Sequence, residues 1–183
     1  MEILAHAVVG LVQVLGNAAG DPGHLNGMGQ ARSVEIIFSG LEDLGLRMLQ
    51  NESETHRRGW ARIQMVGIDD AHFYRADNIE KAAADIRHEE FSILVTHTPE
   101  IYRQAAHADF DVLISGHTHG GQICLPGAIP LTLSAVLPRA LGSGAWRHHG
   151  MIGYTSVGAG SSVVPVRFNC PPEITLHQLR RTD

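Results

Sequence analysis

Short apolar runs bounded by polar and glycine-rich stretches recur along the chain, and they predict the strands of a sheet. Ile93–Val95 and Val112–Ile114 are continuous apolar runs, a pattern typical of strands buried on both faces. Other segments of strand-like composition lie on either side of these two. In chain order the predicted strands are Leu11–Leu15, Leu46–Leu49, Arg62–Val66, Ile93–Val95, Val112–Ile114, Met151–Ser156 and Glu173–Leu179.

Apolar residues spaced three or four apart predict helices between these strands. One helix is predicted to begin at Ser33, a good N-cap residue, and to end at Gly45. Glu2–Val9 and the alanine-rich segment Asp77–Arg87 are predicted to be helical as well. The charged segment Glu52–Gly59 is predicted to be a hairpin-like connection.

Histidines follow the two continuous apolar runs. His97 comes two residues after the first run, and His117 and His119 follow the second within the sequence Ser-Gly-His-Thr-His-Gly-Gly-Gln. In open α/β sheets ligands bind outside the carboxyl ends of the strands, and imidazole is a common metal ligand. Any single histidine among the 12 in the chain can have a plain structural role. A pair at a strand end, beside glycines that let the backbone turn tightly, favours a metal site.

Three motifs together resemble a known family. They are the His97-Thr98-Pro99 turn, the Gly116–Gln122 motif GHTHGGQ followed by ICLP, and the closing segment Pro165–Ile174. This combination is similar to the calcineurin-like metallophosphoesterases, in particular to a bacterial subgroup with GHTHGGQ. The resemblance runs from Leu11 to Leu179. It implies an α/β fold in which two sheets form a sandwich flanked by helices.

The beginning of the chain departs from the family pattern. Members of the family open with an Asp-x-His motif and a Gly-Asp motif, neither of which precedes Asn17 here. Asn17 fits the start of the third family motif, but Ala18 and Ala19 stand where that motif has histidine and an acid. The resemblance therefore implies a truncated or degenerate member that lacks the first strands.

Residue by residue, the resemblance implies a metal held by Asn17, His97 and His117. The last histidine of the motif, His119, corresponds to a ligand of the family's other metal, which also takes the first-motif Asp and His, and it is also the predicted catalytic residue. The implied cofactor is a divalent ion, Mn, Fe or Zn, with one or two ions per chain. A bound metal lowers the pKa of water and so generates a nucleophile near neutral pH.

The predicted function is hydrolysis of phosphodiesters or phosphomonoesters by a metal-bound hydroxide. Two alternatives stay open: a weakly active or non-catalytic remnant that binds a metal or a partner, and a metal-dependent carboxylesterase. The substrate is expected to be a small-molecule or lipid-like phosphoester. Gly127–Ser143, an apolar insertion after the histidine motif, is predicted either to cap the substrate or to pack on the sheet.

Carboxylates near the strand ends are weaker candidates. Asp21 and His24 could replace missing ligands, although their Asp-Pro-Gly context is more typical of a polar turn. Asp69 and Asp70 follow a predicted strand, and a loop-stabilising role is favoured for them. Asp69 remains a candidate substitute ligand.

The cysteine and histidine residues after the motif are weaker candidates for a functional role. Cys124 is predicted to be a buried, inert thiol, because no basic residue adjoins it in the sequence. Cys124 and Cys170 have no Cys-x-x-Cys spacing, so neither a disulfide framework nor a thiolate zinc site is predicted. His148 and His149 are predicted to form an exposed turn or a substrate rim.

Composition narrows the class of protein. The length of 183 residues, with 44% hydrophobic residues, suits a single domain spanning residues 1–183. The net charge of −5, without a basic cluster, excludes a nucleic-acid binder. The apolar N-terminal stretch lacks the positive start of a signal peptide, so a cytoplasmic location is expected. Without the first strands a sheet edge would be exposed, which predicts a homodimer or higher oligomer, and contact with a membrane surface is a further expectation.

Overall fold

The computed structural model describes residues 36 and 38–180. The predicted helix Glu2–Val9, the predicted strand Leu11–Leu15, the N-cap Ser33 and the candidate residues Asn17, Asp21 and His24 all lie outside the described residues. A helix, α1, covers residues 38–43 and ends before Gly45, as the sequence predicts for this part of the chain. Gly45 has a φ of +81°, a value that suits glycine after a helix.

The described residues form a mixed six-stranded sheet and a small two-stranded sheet, which confirms the α/β fold class. The large sheet has the strand order β1-β2-β3-β4-β8-β7, and the small one pairs β5 with β6. The strands are β1 Glu52–Arg58, β2 Ala61–Gly67, β3 Phe91–Val95, β4 Val112–Ser115, β5 Cys124–Leu125, β6 Ile129–Pro130, β7 Gly144–His148 and β8 Met151–Thr155.

The centre of the large sheet is parallel, and its two margins are antiparallel hairpins. Strands β2, β3, β4 and β8 run parallel, whereas β1 pairs with β2 and β7 pairs with β8 in antiparallel register. Val95 and Ile114 are register partners at the ends of β3 and β4. The segments that follow β3 and β4 therefore leave the sheet side by side at the same edge, and these segments carry the histidines.

One face of the sheet is covered by two short helices, α2 (Ile79–Ala83) and α3 (Tyr102–His107). Because side chains alternate along a strand, Val66, Leu94 and Leu113 all point to this face, and all three are fully buried. The opposite face carries a smaller cluster. Its buried members are Ile63, Ile93, Val95 and Ile114, with Leu179 packed against them.

Two predictions in the region 46–58 are wrong. Leu46–Leu49 is not a strand, and the charged segment from Glu52 is not a connection but strand β1. Its charges fit an edge strand, because side chains that face water there discourage pairing with another chain. Arg47, in the segment before β1, lies 3.4 Å from Glu52 and 3.8 Å from Glu54, so its charge is paired with the carboxylates of β1.

The other predicted elements are confirmed in part. The strands predicted at Arg62–Val66, Ile93–Val95, Val112–Ile114 and Met151–Ser156 are β2, β3, β4 and β8. The predicted helix Asp77–Arg87 is shortened to α2, whose N-cap Asn78 accepts a hydrogen bond from the Lys81 amide. The predicted strand Glu173–Leu179 is irregular. That segment is tied to the sheet by side chains instead, since the Tyr154 hydroxyl donates to Glu173.

Candidate metal centre

The turns after β3 and β4 are joined to each other, and this connection brings two histidines together. The Thr96 amide donates to the Ile114 carbonyl at 3.1 Å, and the Gly116 amide donates to the His97 carbonyl at 3.1 Å. His97 and His117 each stand two residues beyond their strand. The convergence predicted from the sequence is therefore observed for these two residues.

His97 and His117 form a buried imidazole pair. His97 Nε2 lies 2.9 Å from His117 Nδ1, and each residue is 9% exposed. On its other side His117 Nε2 lies 2.7 Å from the Ser134 carbonyl oxygen, which can only accept. His117 Nε2 therefore carries the proton and Nδ1 presents its lone pair toward His97. A backbone carbonyl that fixes the tautomer in this way is the usual support of a metal-bound histidine.

The backbone of the histidine motif is strained. His117 has a φ of 68° and His119 a φ of 51°, in the left-handed region that residues other than glycine rarely adopt. Each such residue costs about 1–3 kcal/mol, and such residues concentrate at functional sites. The strained turn aims the His117 ring at His97.

His119 lies against a different partner. Its Nδ1 is 3.4 Å from an Arg167 Nη2, and its carbonyl accepts from Arg167 Nη1 at 3.4 Å. The ring also hydrogen-bonds to the Gly160 backbone. A guanidinium at this position would repel a cation, so His119 would have to exchange the Arg167 contact before it could bind metal. Its predicted roles as ligand and catalytic residue stay predictions.

Both motif histidines are held in the neutral form that a metal ligand requires. Burial is the main cause that lowers the pKa of His117 below 6.5, with the neighbouring His72 acting in the same direction. Burial also lowers the pKa of His119, and the positive charge of Arg167 adds to this effect.

Two residues that the sequence analysis did not single out complete the surroundings of the pair. The His72 ring packs against the His117 ring with centroids 4.3 Å apart, and His72 Nδ1 hydrogen-bonds to Glu100. Burial raises the pKa of Glu100, but hydrogen bonds from Val136, His72 and Thr98 outweigh it, so the pKa is lowered overall. Glu100 directly follows the His-Thr-Pro turn, but its contact with His72 spans 28 residues and has no local signal in the sequence.

Asp69 and Asp70 stabilise the loop that carries His72, as the sequence analysis favoured. Asp70 Oδ1 accepts from the amides of His72 and Tyr74 at 3.1 and 2.7 Å. Asp69 Oδ1 accepts from the Asp70 amide at 2.7 Å. Their carboxylates are therefore used in closing the turn.

The apolar insertion 127–143 both covers the site and packs on the core. Leu141 belongs to the main core cluster, and the partly buried Leu137 packs against it. Between the site and solvent, the Ser134 carbonyl contacts His117, and the Val136 side chain is 89% exposed. Phe73, which is 53% exposed, has its ring centroid 6.3 Å from that of His117. The Phe73 ring thus lies beside the His117 imidazole.

The two cysteines and the two histidines after the motif lie away from the imidazole pair. Cys124 and Cys170 are buried beside Val157, and burial raises the pKa of Cys124, which agrees with an inert thiol. His149 lies in the exposed turn between β7 and β8, whereas His148 ends β7 and packs on Tyr102.

His97 Nε2 and His117 Nδ1 are hydrogen-bonded to each other, so a cation that took both nitrogens as ligands would replace this hydrogen bond. Two nitrogens that each lie about 2.1 Å from an ion at a right angle are roughly 3.0 Å apart. The observed separation of 2.9 Å is close to this value. Among residues 36 and 38–180, however, no group of three or more His, Cys, Asp or Glu side chains is arranged to hold a metal ion. The described residues therefore do not form a complete metal site by themselves.

None of the helices in the described part of the chain has both the length and the apolar character that crossing a membrane requires.

Comparison with known proteins gives a consistent set of relatives. The uncharacterized metallophosphoesterase YkoQ of Bacillus subtilis is 33% identical over 140 residues, which cover 76% of this chain and 51% of that protein. An uncharacterized metallophosphoesterase of Helicobacter pylori strain J99 is 33% identical over 153 residues, covering 80% of this chain and 39% of that protein. The chain thus spans about half the length, or less, of these relatives. No family model and no solved structure matches it.

Proposed function

Because the chain belongs to the calcineurin-like metallophosphoesterase family, we propose that it hydrolyses phosphoesters with a divalent cation held by His97 and His117. The observation that carries the proposal is the buried pair itself, with 2.9 Å between His97 Nε2 and His117 Nδ1. A bound divalent cation would polarise the phosphoryl group and favour loss of a proton from water. Mn, Fe and Zn all accept imidazole ligands.

The chain's own residues hold and orient the site. Ser134 keeps the proton of His117 on Nε2, so that Nδ1, which now contacts His97, is the nitrogen that a cation would take as a ligand. Asn17 is proposed as a third ligand from the part of the chain outside the described residues. His119 is proposed as a further ligand or catalytic residue, on condition that it leaves Arg167.

The surroundings of the pair support an apolar substrate. Phe73, beside His117, and Val136, two residues after Ser134, expose hydrophobic side chains. An aromatic or lipid-like leaving group would bury these surfaces when it binds, at about 25 cal/mol per Å² of apolar area. We therefore include lipid-like phosphoesters, and contact with a membrane surface, in the proposal.

A homodimer and a cytoplasmic location complete the proposal. Val166, Phe168, Ile174 and Leu176 of the segment after β8 expose apolar side chains, which supports association with a second copy. The thiols of Cys124 and Cys170 are free, as expected in a reducing compartment. Sedimentation of an active monomer would exclude the dimer.

A non-catalytic metal-binding protein is the second candidate. It is favoured by the finding that the described residues offer two converging imidazoles but no group of three His, Cys, Asp or Glu side chains arranged to hold an ion. Parallel assays distinguish the candidates. We expect Mn²⁺-dependent release of nitrophenol from bis(p-nitrophenyl) phosphate or p-nitrophenyl phosphate, and loss of that release with a chelator.

The controls use p-nitrophenyl acetate as substrate and His97→Ala as variant. Hydrolysis of the acetate alone would identify a carboxylesterase, and no turnover of any of the three substrates would favour the non-catalytic protein. Equal rates for His97→Ala and for the control variant His149→Ala, which alters only the exposed turn, would contradict the assigned site.

A further inference from the structure

The Glu100 carboxylate joins three separate segments of the chain. Its Oε1 accepts from the Val136 amide at 2.6 Å, and its Oε2 accepts from the Thr98 hydroxyl at 3.0 Å. Oε2 also pairs with His72 Nδ1. The side chain is only 16% exposed, so these contacts are made largely away from solvent.

Two of those segments touch His117 directly. His72 packs its ring on the His117 ring at 4.3 Å between centroids. Ser134, two residues before Val136, places its carbonyl 2.7 Å from His117 Nε2. The segments tied by Glu100 therefore contact the imidazole on two sides, while His97 Nε2 lies 2.9 Å away on a third.

We propose that Glu100 is a positioning residue that fixes the orientation and tautomer of the His117 ring through His72 and the 134–136 loop. The proton on His117 Nε2 stays in place only while Ser134 remains beside it, and the bond from Val136 to Glu100 anchors that loop. The His72 ring packs on the His117 ring and so limits its rotation. That this positioning promotes metal binding rests on the proposed function. The positioning of the His117 ring by Glu100 does not depend on it.

The test uses the full chain, labelled with ¹⁵N and studied without metal. In the wild type we expect NMR of the His117 ring to show a single tautomer protonated at Nε2. In Glu100→Ala we expect averaged ring signals and an exchange rate of the Val136 amide proton at least ten-fold higher. Glu100→Gln keeps an acceptor for Val136 and is expected to restore the wild-type behaviour in part.

Glu89→Ala is the matched control, because Glu89 is exposed. It should leave the tautomer and the exchange rate unchanged. A folded Glu100→Ala protein with the wild-type tautomer and wild-type Val136 exchange would overturn the proposal. If Glu100→Ala does not fold, Val136→Pro takes its place, because it removes the amide that donates to Glu100 and leaves the carboxylate intact. A folded Val136→Pro protein with the wild-type His117 tautomer would then overturn the proposal.

Titration with Mn²⁺ adds a readout that a purely structural role would not move. We expect the Kd for Mn²⁺ to rise about 10- to 100-fold in Glu100→Ala, the usual effect of losing an outer-shell partner. The melting temperature of Glu100→Ala, compared with that of the wild type, serves as the check on general stability. If the wild type binds no Mn²⁺ while the tautomer of the variant still changes, the proposed function fails and the positioning role stands.

Discussion

Replacing His117 by alanine is expected to lower metal-dependent phosphoester hydrolysis by at least 100-fold. The change removes one of the two converging imidazoles and leaves His97 Nε2 without its partner 2.9 Å away. Loss of an outer-shell partner alone costs about 10- to 100-fold in affinity or activity, so loss of a direct ligand should cost at least the upper end of that range. The measurement is kcat/KM on bis(p-nitrophenyl) phosphate with saturating Mn²⁺.

The control for this variant is His149→Ala, in the exposed turn between β7 and β8. It removes an imidazole without touching the pair and should keep wild-type kcat/KM. Far-UV circular dichroism shows whether His117→Ala remains folded. A folded His117→Ala protein with wild-type activity would mean that the imidazole pair plays no part in the reaction.

Gly120→Ala is expected to destabilise the protein and to displace the histidine motif. Gly120 has a φ of +61°, and a Cβ there would lie 2.6 Å from Val157 Cγ1 and 2.9 Å from Cys170 Sγ. Left-handed strain and overpacking together should lower the free energy of unfolding by about 2–4 kcal/mol. For a chain of this length the melting temperature should fall by roughly 5–15 °C.

Gly150→Ala provides the matched control, since a Cβ at that turn position meets no atom within 4 Å. Its melting temperature should stay close to that of the wild type. If Gly120→Ala has the same melting temperature as Gly150→Ala, the packing of Val157 and Cys170 against the motif is loose.

The sequence predicted the centre of the fold and the main feature of the site. Continuous apolar runs identified β3 and β4, because strands buried on both faces need no polar alternation. The parallel pairing of these strands then placed His97 and His117 at one edge of the sheet. Local pattern was sufficient here because each histidine directly follows its own strand.

Other features depend on contacts between distant segments, which no local pattern encodes. Strand β1 is highly charged, and its pairing with β2 decides its conformation. His72 and Glu100 meet across 28 residues of sequence, so neither could be linked to His117 beforehand. The contact of His119 with Arg167 spans 48 residues of sequence. It gives His119 a different partner from His117, although the two histidines are neighbours in the motif.

The metal content of the purified protein tests the central claim most directly. Elemental analysis should be made on the wild type and on the double variant His97→Ala, His117→Ala, both dialysed against the same Mn²⁺ and Zn²⁺ buffer. If the pair holds the cation, the wild type retains about one divalent ion per chain and the double variant retains none. Equal metal content in the two proteins, or none in the wild type, would contradict the claim that His97 and His117 bind a metal.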